Sequence, residues 1–520
     1  MNKYIFTRWC TVLTITCLLW TSCTKDFKEV NVDPAKLTSV GERELPFLFS
    51  KAESAASYTS YAYQVAQNLF ADLYAQYFAT TVTYFPSDRY VMRYDWLATH
   101  WSMPYTQVVP QLQSIFEFSK PESPEYALAN IIWVYTFHRL TDYYGPVPYF
   151  HAGATQKTID YDAQDKIYED FFKRLAAAVN TLKTTDKQNI FGSYDLIYGG
   201  SREKWLRFAN TLRLRLALRI SKVNATKARQ EAEAAVADGV MTELAHDAYM
   251  IKSVKGTDIN GLAGISEWNE FSMSAAMESM LKGYKDPRLA VFFQPAANTG
   301  KFSGIRNGVP TTAITTNEKN KQKNLSNIGT RWVAIVDGQW VSNQTVSQDI
   351  MHAAEAYFLR AEGALNGWNM NGTPKDLYEK GIEMSMLQWK IEDPAVISAY
   401  IQSEGKPVAL DDYLQSPPVN QTVVKWGSNT ATQRMQIGTQ KWLALYPDGM
   451  EAWAEVRRSG YPVLYPLVSS DNSDLPVGTP IKRIPFIDLE KQTNAAAVQK
   501  AIPLLNGPDK ASTRLWWDVD

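Results

Sequence analysis

The sequence predicts a mainly α-helical protein, in which four helical hairpins of the tetratricopeptide type form a scaffold that carries irregular, loop-rich insertions. Three observations support this fold class. Apolar residues recur at helical spacing in segments that follow one another in pairs. Glycine, proline or asparagine punctuates several of these pairs. Two long stretches, 240–345 and 460–510, lack the helical period and are rich in glycine, asparagine and threonine or in proline.

The first 22 residues have the pattern of an export signal. Lys3 and Arg8 precede an apolar run from residue 9 to 20, which is too short to span a bilayer. The run ends in Leu-Leu-Trp-Thr-Ser-Cys, which resembles a bacterial lipobox with Cys23 as the lipidated residue. Trp20 departs from that motif, where a small or aliphatic residue is more usual. The alternative is an ordinary signal peptide with an unrelated cysteine.

Cysteine content and charge exclude several function classes. Cys10 and Cys17 lie inside the predicted signal, so after Cys23 no thiol remains for a disulfide, a metal or a nucleophile. The chain has 53 Lys and Arg against 54 Asp and Glu, which argues against a nucleic-acid partner. The 28 tyrosines and 16 tryptophans offer flat apolar faces with a polar edge, suited to sugars or extended peptides.

The rest of the chain divides into a polar tether, residues 23–41, and one predicted domain, residues 42–520. No stretch of the domain is long and apolar enough to cross a membrane, so lipid on Cys23 is the expected attachment. Residues 47–79 carry apolar residues at helical spacing on one broad face, from Phe47 to Tyr77, and are predicted to be helical.

The four predicted hairpins follow in order. Their paired helices are 125–144 with 164–182, 205–221 with 226–237, 349–366 with 374–389, and 431–446 with 448–458. In the third pair, Phe358, Ala361, Tyr378 and Gly381 occupy about the register of a tetratricopeptide repeat. Such hairpins stack because neither helix can bury its apolar stripe alone.

Several segments in a fixed order resemble the hallmarks of the SusD/RagB-like family, in particular its second SusD-like subgroup. They are Arg139–Tyr149, Ile197–Gly200, Lys204–Arg215, Asp286–Leu289, Ala354–Glu362, Gln440–Trp442, Glu451–Trp453 with Arg457–Arg458, and Trp516–Asp518. The resemblance covers essentially the whole chain after the signal. It implies a four-repeat helical scaffold with an irregular ligand-binding face. It also implies a TonB-dependent, SusC-like transporter as partner, and an outer-membrane, lipid-anchored and surface-exposed location.

The hallmark residues themselves are interpreted as structural. Gly145, Gly199 and Gly200 can adopt backbone angles that other residues avoid. The arginines are expected to pair with carboxylates inside the scaffold; they are Arg213, Arg215, Arg457 and Arg458.

Enzyme motifs are weak. Ser201 and Lys204 match the S-x-x-K element of serine acyl-enzymes, and residues 470–472 match their S-D-N, but a K-T-G element is absent from the sequence. Ser201 also precedes a helix, where serine is a natural N-cap. Glu451 and Glu455 could form a glycosidase pair, yet the neighbouring arginines favour ion pairing.

Metal and cofactor sites are not expected. None of the five histidines forms an H-E-x-x-H motif, and His352 with Glu355 supplies only two ligands on one helix face. The sequence contains no Walker loop and no dinucleotide fingerprint.

Candidate ligand contacts are aromatic and polar residues in the insertions, where the helical period does not oblige them to be core. Residues 84–96, between the first two helices, form one cluster; the other two are the Trp268 segment and the stretch before the third hairpin. The predicted ligand-binding residues are Tyr84, Asp88, Tyr90, Trp96, Trp268, Asn269, Trp332 and Trp340. Binding is expected through aromatic stacking and hydrogen bonds, without covalent chemistry.

Three classes of function remain open. The leading hypothesis is an oligosaccharide-binding lipoprotein that feeds a transporter. A peptide-binding lipoprotein of the same type is the nearest alternative. A surface hydrolase and a purely structural envelope protein are the alternatives from other classes.

Overall fold

The computed structural model describes residues 41–156, 158–255 and 258–520. The predicted signal, Cys23 and the tether up to residue 40 lie outside these residues. The α-helices, in chain order, are α1 (Leu45–Ala56), α2 (Tyr94–Met103), α3 (Val109–Phe118), α4 (Pro124–Tyr144), α5 (Gln164–Thr184), α6 (Arg202–Arg219), α7 (Ala225–Asp238), α8 (Gly261–Ser266), α9 (Ala275–Gly283), α10 (Leu289–Phe292), α11 (Thr311–Thr316), α12 (Ala353–Leu365), α13 (Pro374–Gln388), α14 (Pro394–Ile401), α15 (Thr430–Leu445), α16 (Gly449–Ser459), α17 (Asp488–Thr493) and α18 (Ala495–Ala501). The strands are β1 (Phe78–Thr80), β2 (Ala248–Met250), β3 (Phe271–Met273), β4 (Val333–Val336), β5 (Gln339–Ser342) and β6 (Gln348–Met351).

The four predicted hairpins are confirmed as α4 with α5, α6 with α7, α12 with α13, and α15 with α16. Most boundaries agree within a few residues. The third hairpin begins at residue 353 and not at 349, because residues 348–351 form β6 and pair with β2. The mainly α-helical fold class is therefore correct.

Local signals set the ends of these helices. Ser123 Oγ accepts a hydrogen bond from the Tyr126 amide at 3.2 Å, and Pro124 follows as the first helical residue of α4. Gly145 ends α4 with a φ of 85°, a backbone conformation that side chains rarely adopt. Ser201 Oγ likewise accepts from the Lys204 amide, at 3.5 Å.

The helices of the first hairpin differ in how they are buried. In α4 every residue from Ala127 to Tyr144 is buried, so this helix runs through the centre of the scaffold. In α5 the buried residues recur every three or four positions, as Ile167, Phe171 and Leu175 illustrate. The helical period therefore predicts one-sided burial correctly for α5, whereas α4 has no exposed stripe.

Buried ion pairs link helices within and between the hairpins. Examples are Arg213 with Glu231 (2.5 Å) inside the second hairpin, Arg215 with Glu355 (2.6 Å) and Arg219 with Glu451 (2.6 Å) between hairpins, and Arg458 with Glu362 (2.7 Å) and with Glu455 of its own helix (2.7 Å). Each carboxylate compensates a guanidinium that would otherwise be costly to bury. The expected pairing is confirmed for Arg213, Arg215 and Arg458.

Arg457 is the exception to that expectation. Its Nη1 donates to the carbonyl oxygens of Asp142 and Lys482, at 2.8 and 2.9 Å, and its guanidinium stacks on Trp453 at 3.6 Å. No carboxylate forms an ion pair with it among residues 41–156, 158–255 and 258–520. Burial lowers the pKa of Arg457 to about 10.

Residues 47–79 do not form one helix, contrary to the prediction. Helix α1 ends at Ala56, and positive φ angles at Tyr58 and Ser60 break the chain direction before a π-helical segment, Gln64–Asp72. The break lets Gly261 of α8 approach so closely that a Cβ there would lie 2.3 Å from Tyr63 Cβ. Phe47, placed on the buried face by its spacing, is 52% exposed.

The described part of the chain contains three two-stranded antiparallel sheets, of which two pair segments far apart in sequence and one is a local hairpin. β1 pairs with β3, β2 with β6, and β4 with β5. The β1–β3 pairing brings residues 270–273 beside residues 78–81, which follow the π-helical segment Gln64–Asp72. Helices α2 and α3, linked by the π-helical segment Pro104–Val108, were not predicted from the sequence.

Candidate ligand-binding surface

Two exposed aromatic rings stack on each other at the turn between α8 and β3. Trp268 is 41% exposed and lies 5.3 Å, centroid to centroid, from Tyr61, which is 47% exposed. The planes of the rings differ by 18°. Adjacent exposed rings form continuous apolar surface, which marks binding sites more often than single exposed residues do.

Glu270, two residues after Trp268, links three separate segments of this surface. Its carboxylate accepts hydrogen bonds from Gln64 Nε2 at 3.0 Å and from the Tyr84 hydroxyl. Tyr84 is 58% exposed. Partial desolvation and the hydrogen bond to the Glu270 carboxylate raise the pKa of Tyr84 to about 12.

Hydrogen bonds to the backbone hold the Trp268 turn in place. Asn269 has a φ of 54°, and its carbonyl oxygen accepts from Thr81 Oγ1 at 3.0 Å and from Gln322 Nε2 at 2.8 Å. Asn260 caps α8 by accepting from the Ala263 amide at 3.0 Å. The turn is therefore anchored on both sides, so the exposed ring of Trp268 has a defined position.

Trp96 and Tyr84 both pack against Phe85. The Phe85 ring is 4.8 Å from that of Tyr84 and 5.7 Å from that of Trp96. Trp96 is half-buried, and the Arg93 guanidinium lies 4.0 Å from its ring. Arg93 covers part of this indole, which leaves less of it for a ligand than is left of Trp268.

Trp340 lies in the β4–β5 hairpin, which borders the Trp268 turn. It is half-buried and paired across the hairpin with Ile335. At the base of the hairpin, Ser342 Oγ donates to Glu267 Oε2 at 2.7 Å, one residue before Trp268. We call Tyr61, Tyr84, Trp268, Asn269 and Glu270 the aromatic surface, with Trp96 and Trp340 as its neighbours.

Two predicted contacts belong to the interior. Trp332 is fully buried, with its ring 5.7 Å from that of Trp389 and 6.0 Å from that of Tyr446, so it presents no face to a ligand. Asp88 is 3% exposed and accepts from Asn307 Nδ2 at 2.8 Å. Burial raises the pKa of Asp88 to about 6. These residues stabilise the fold, and the structure removes both from the candidate surface.

Tyr90 lies elsewhere, in the lining of a separate cavity, with its ring 5.7 Å from that of Tyr74. Tyr61 of the aromatic surface, and Gln64, which donates to Glu270, were missed because their segment was interpreted as part of one long helix. The short run Thr59-Ser60, polar within an apolar pattern, is the signal that could have indicated the break.

The motifs that pointed to enzymes have structural roles. Ser201 is the N-cap of α6, and Asp471 pairs with Arg89 at 2.6 Å. Glu451 and Glu455 are both bound to Arg219. Over the residues that the structure describes, no group of three His, Cys, Asp or Glu side chains is placed to hold a metal ion.

The family model described as Susd and RagB outer membrane lipoprotein matches residues 42–518. The chain belongs to the SusD-like family. No curated protein is significantly similar to it in sequence. None of the helices in the described ranges is both long enough and apolar enough to traverse a bilayer.

Solved structures of SusD-like proteins share this fold. A chitin-binding SusD homolog from Flavobacterium johnsoniae is 34% identical, with a TM-score of 0.83, over 91% of this chain and 98% of that one. A SusD homolog from Bacteroides vulgatus is 30% identical, with a TM-score of 0.83, over 92% and 98% of the two chains. A protein described as chitin-binding is 26% identical, with a TM-score of 0.74, over 92% and 100%.

Proposed function

We propose that this SusD-like protein is a surface lipoprotein, anchored through Cys23, that captures nutrient oligosaccharides and passes them to a TonB-dependent SusC-like transporter without catalysing a reaction. The observation that carries the proposal is the exposed, stacked pair of Tyr61 and Trp268 beside Tyr84 and Glu270. The surface combines apolar ring faces with hydrogen-bonding groups on an anchored turn.

The chemistry of this surface fits sugars. A pyranose ring has an apolar face of C–H groups that packs on an aromatic ring, and its hydroxyl groups need polar partners. Trp268 supplies such a ring, and Glu270 supplies carboxylate oxygens. The strands next to this surface, β1 and β3, are three residues long, which leaves little edge for an extended peptide to pair with. Sugar is therefore favoured over peptide.

Chito-oligosaccharides are the ligand class that we propose to test first. The support comes from relatives: two of the similar solved structures are described as chitin-binding, one of them 34% identical to this chain. Other neutral oligosaccharides and a peptide panel provide the comparison.

The test is calorimetric titration of the purified protein with these panels. We expect saturable binding of one oligosaccharide class, and Trp268→Ala should weaken it at least about tenfold, or ~1.4 kcal/mol. Phe150→Ala is the matched control, since Phe150 is 50% exposed but lies outside the aromatic surface. Binding is expected to be unchanged in this variant.

Three results would contradict parts of the proposal. Affinity that survives both Trp268→Ala and Tyr61→Ala would reject the aromatic surface. Saturable binding of peptides alone would reject the sugar ligand. Release of shorter sugars during incubation, followed by chromatography, would reject a non-enzymatic role. The proposed transporter is tested by co-purification from detergent-solubilised outer membranes, where recovery of no SusC-like protein would count against it.

A further inference from the structure

A cavity lies at the C-terminal end of α16, separate from the aromatic surface. Segments 459–467, 477–482 and 514–520 contribute to its lining, and its volume is about 600 Å³. Cavities that bind small organic ligands usually have volumes of roughly 300–1,000 Å³. The cavity is therefore large enough for one sugar-sized molecule.

Aromatic side chains form one part of its lining. The Tyr74 ring lies 5.2 Å from the Trp453 ring and 5.7 Å from the Tyr90 ring. All three residues line the cavity, together with apolar residues such as Val463 and Val477, which are 45% and 56% exposed. A ring-shaped ligand would have aromatic and aliphatic surface to pack on.

Two buried polar groups of the lining have no hydrogen-bond partner within the described part of the chain. They are the Tyr74 hydroxyl and Arg457 Nη2. Tyr74 is only 7% exposed and Arg457 only 6%. Both side chains pack against Trp453: the Tyr74 ring lies 5.2 Å from the Trp453 ring, and the Arg457 guanidinium lies 3.6 Å from it. An unsatisfied buried donor destabilises the fold, and a ligand acceptor would remove this destabilisation.

The charges of the lining are unbalanced. Three of its cations have carboxylate partners: Arg458 pairs with Glu362 and Glu455, Lys482 with Asp518, and Arg514 with Asp520. The other two, Lys222 and Arg457, form no ion pair with any described residue and donate to backbone carbonyl oxygens. Lys222 Nζ, for example, donates to Val519 O at 3.0 Å. The cavity therefore favours an anion.

We propose that this cavity is a second binding site, which takes a small organic acid: a carboxylate carried on a sugar-sized ring. The carboxylate accepts hydrogen bonds from Arg457 Nη2 and the Tyr74 hydroxyl, Lys222 adds positive charge, and the ring packs on the aromatic lining. This site is independent of the oligosaccharide surface and does not rest on the function proposed for it.

The experiment is calorimetric titration of the full protein with three probes. D-glucuronate carries both the ring and the carboxylate, D-glucose carries the ring alone, and inorganic phosphate carries the charge alone. We expect saturable binding of glucuronate and at least about tenfold weaker binding of the other two. Equal affinity for glucose would overturn the need for charge, equal affinity for phosphate would overturn the need for a ring, and no binding of glucuronate would overturn the site.

Two variants test whether glucuronate binds in this cavity. Tyr74→Phe removes a hydroxyl that has no protein partner, so we expect an unchanged or higher melting temperature together with about tenfold weaker glucuronate binding. Lys222→Gln should weaken binding without unfolding the protein, because Lys222 is an exposed surface residue. Unchanged glucuronate affinity in both variants would overturn the proposal.

The matched control is Tyr378→Phe. Tyr378 is a buried tyrosine like Tyr74, but its hydroxyl donates to Val424 O at 2.6 Å and the residue lies outside the cavity lining. We expect this variant to be less stable and to bind glucuronate normally. Trp268→Ala should likewise leave glucuronate binding unchanged, which separates the two sites.

Discussion

His352 lies between two carboxylates at the start of α12. Its Nδ1 is 3.4 Å from Asp247 Oδ2, and its Nε2 is 3.2 Å from Asp349 Oδ1. Burial alone would lower the pKa of this imidazole, but the two carboxylates outweigh it and raise the pKa to about 9. The charged ring therefore ties β6 and the residue just before β2 to the start of α12 near neutral pH.

This pair of contacts predicts a pH-dependent stability. The folded pKa of His352 is above the unfolded value of about 6.5, so its contribution is complete below pH ~6.5 and is lost as the pH rises through about 9. We expect His352→Gln to lower the free energy of unfolding by a few kcal/mol at pH 6, and the difference from the unmodified protein to shrink towards pH 9.5. Denaturant unfolding across this range measures it.

His151→Gln is the control, because His151 is exposed and forms no ion pair with a described residue. We expect this variant to have a free energy of unfolding close to that of the unmodified protein. A His352→Gln difference that is constant from pH 6 to 9.5 would contradict the charged state of His352.

Two tryptophans of the same insertion show that the sequence does not predict which aromatic side chains are exposed. Trp268 and Trp332 both lie in the aperiodic insertion and were both predicted to contact ligand. Trp268 is 41% exposed, whereas Trp332 is fully buried against Trp389 and Tyr446. Composition predicts that such insertions carry aromatic rings, but only packing with distant residues decides which of them face solvent.

At the scale of elements, the segment 406–408 docks on α9 at a position that only glycine allows. A Cβ on Gly283 would lie 2.0 Å from Lys406 O and 2.6 Å from Pro407 Cα. Hydrogen bonds hold the two elements together, since Val408 N donates to Ser279 O at 3.0 Å and Ser279 Oγ donates to Val408 O at 2.6 Å. Neither backbone can move away without breaking these bonds.

We therefore expect Gly283→Ala to destabilise the protein by about 1–3 kcal/mol, the usual cost of overpacking, and to lower its melting temperature. Gly372→Ala is the matched control, because the nearest atoms to its Cβ, from 2.9 Å, belong to the Leu377 side chain and not to backbone. That variant should lose less stability. Equal melting temperatures for the two variants, measured by calorimetry, would contradict the docking contact.

Elements were predictable where their pattern is local. All four hairpins follow from helical spacing and end signals such as Ser123, Gly145 and Gly460. The break after α1 was missed, because the apolar period continues through it and the polar pair Thr59-Ser60 is only a weak local signal. The packing of α8 against Tyr63, some 200 residues away in sequence, accompanies the positive φ angles at Tyr58 and Ser60.

At the scale of the whole molecule, the proposed attachment to the membrane through Cys23 can be tested directly. We expect the unmodified protein to incorporate radiolabelled palmitate and to sediment with outer membranes, and Cys23→Ala to lose both properties. Cys17→Ala is the control, since Cys17 lies within the predicted signal. Palmitate incorporation and sedimentation of Cys17→Ala should match those of the unmodified protein. Palmitate incorporation by Cys23→Ala would contradict lipidation at this residue.

The sequence by itself determined the helical hairpins, the order of the family's hallmark segments and the aromatic character of the insertions, because these properties are written in spacing and composition along the chain. Only the tertiary structure decided that Tyr61, Tyr84, Trp268 and Glu270 meet on one surface, that Trp332 and Asp88 face inward, and that Tyr74 and Arg457 line a second cavity. Those outcomes depend on contacts between residues far apart in sequence, where each ring or charge is buried or exposed according to what packs beside it.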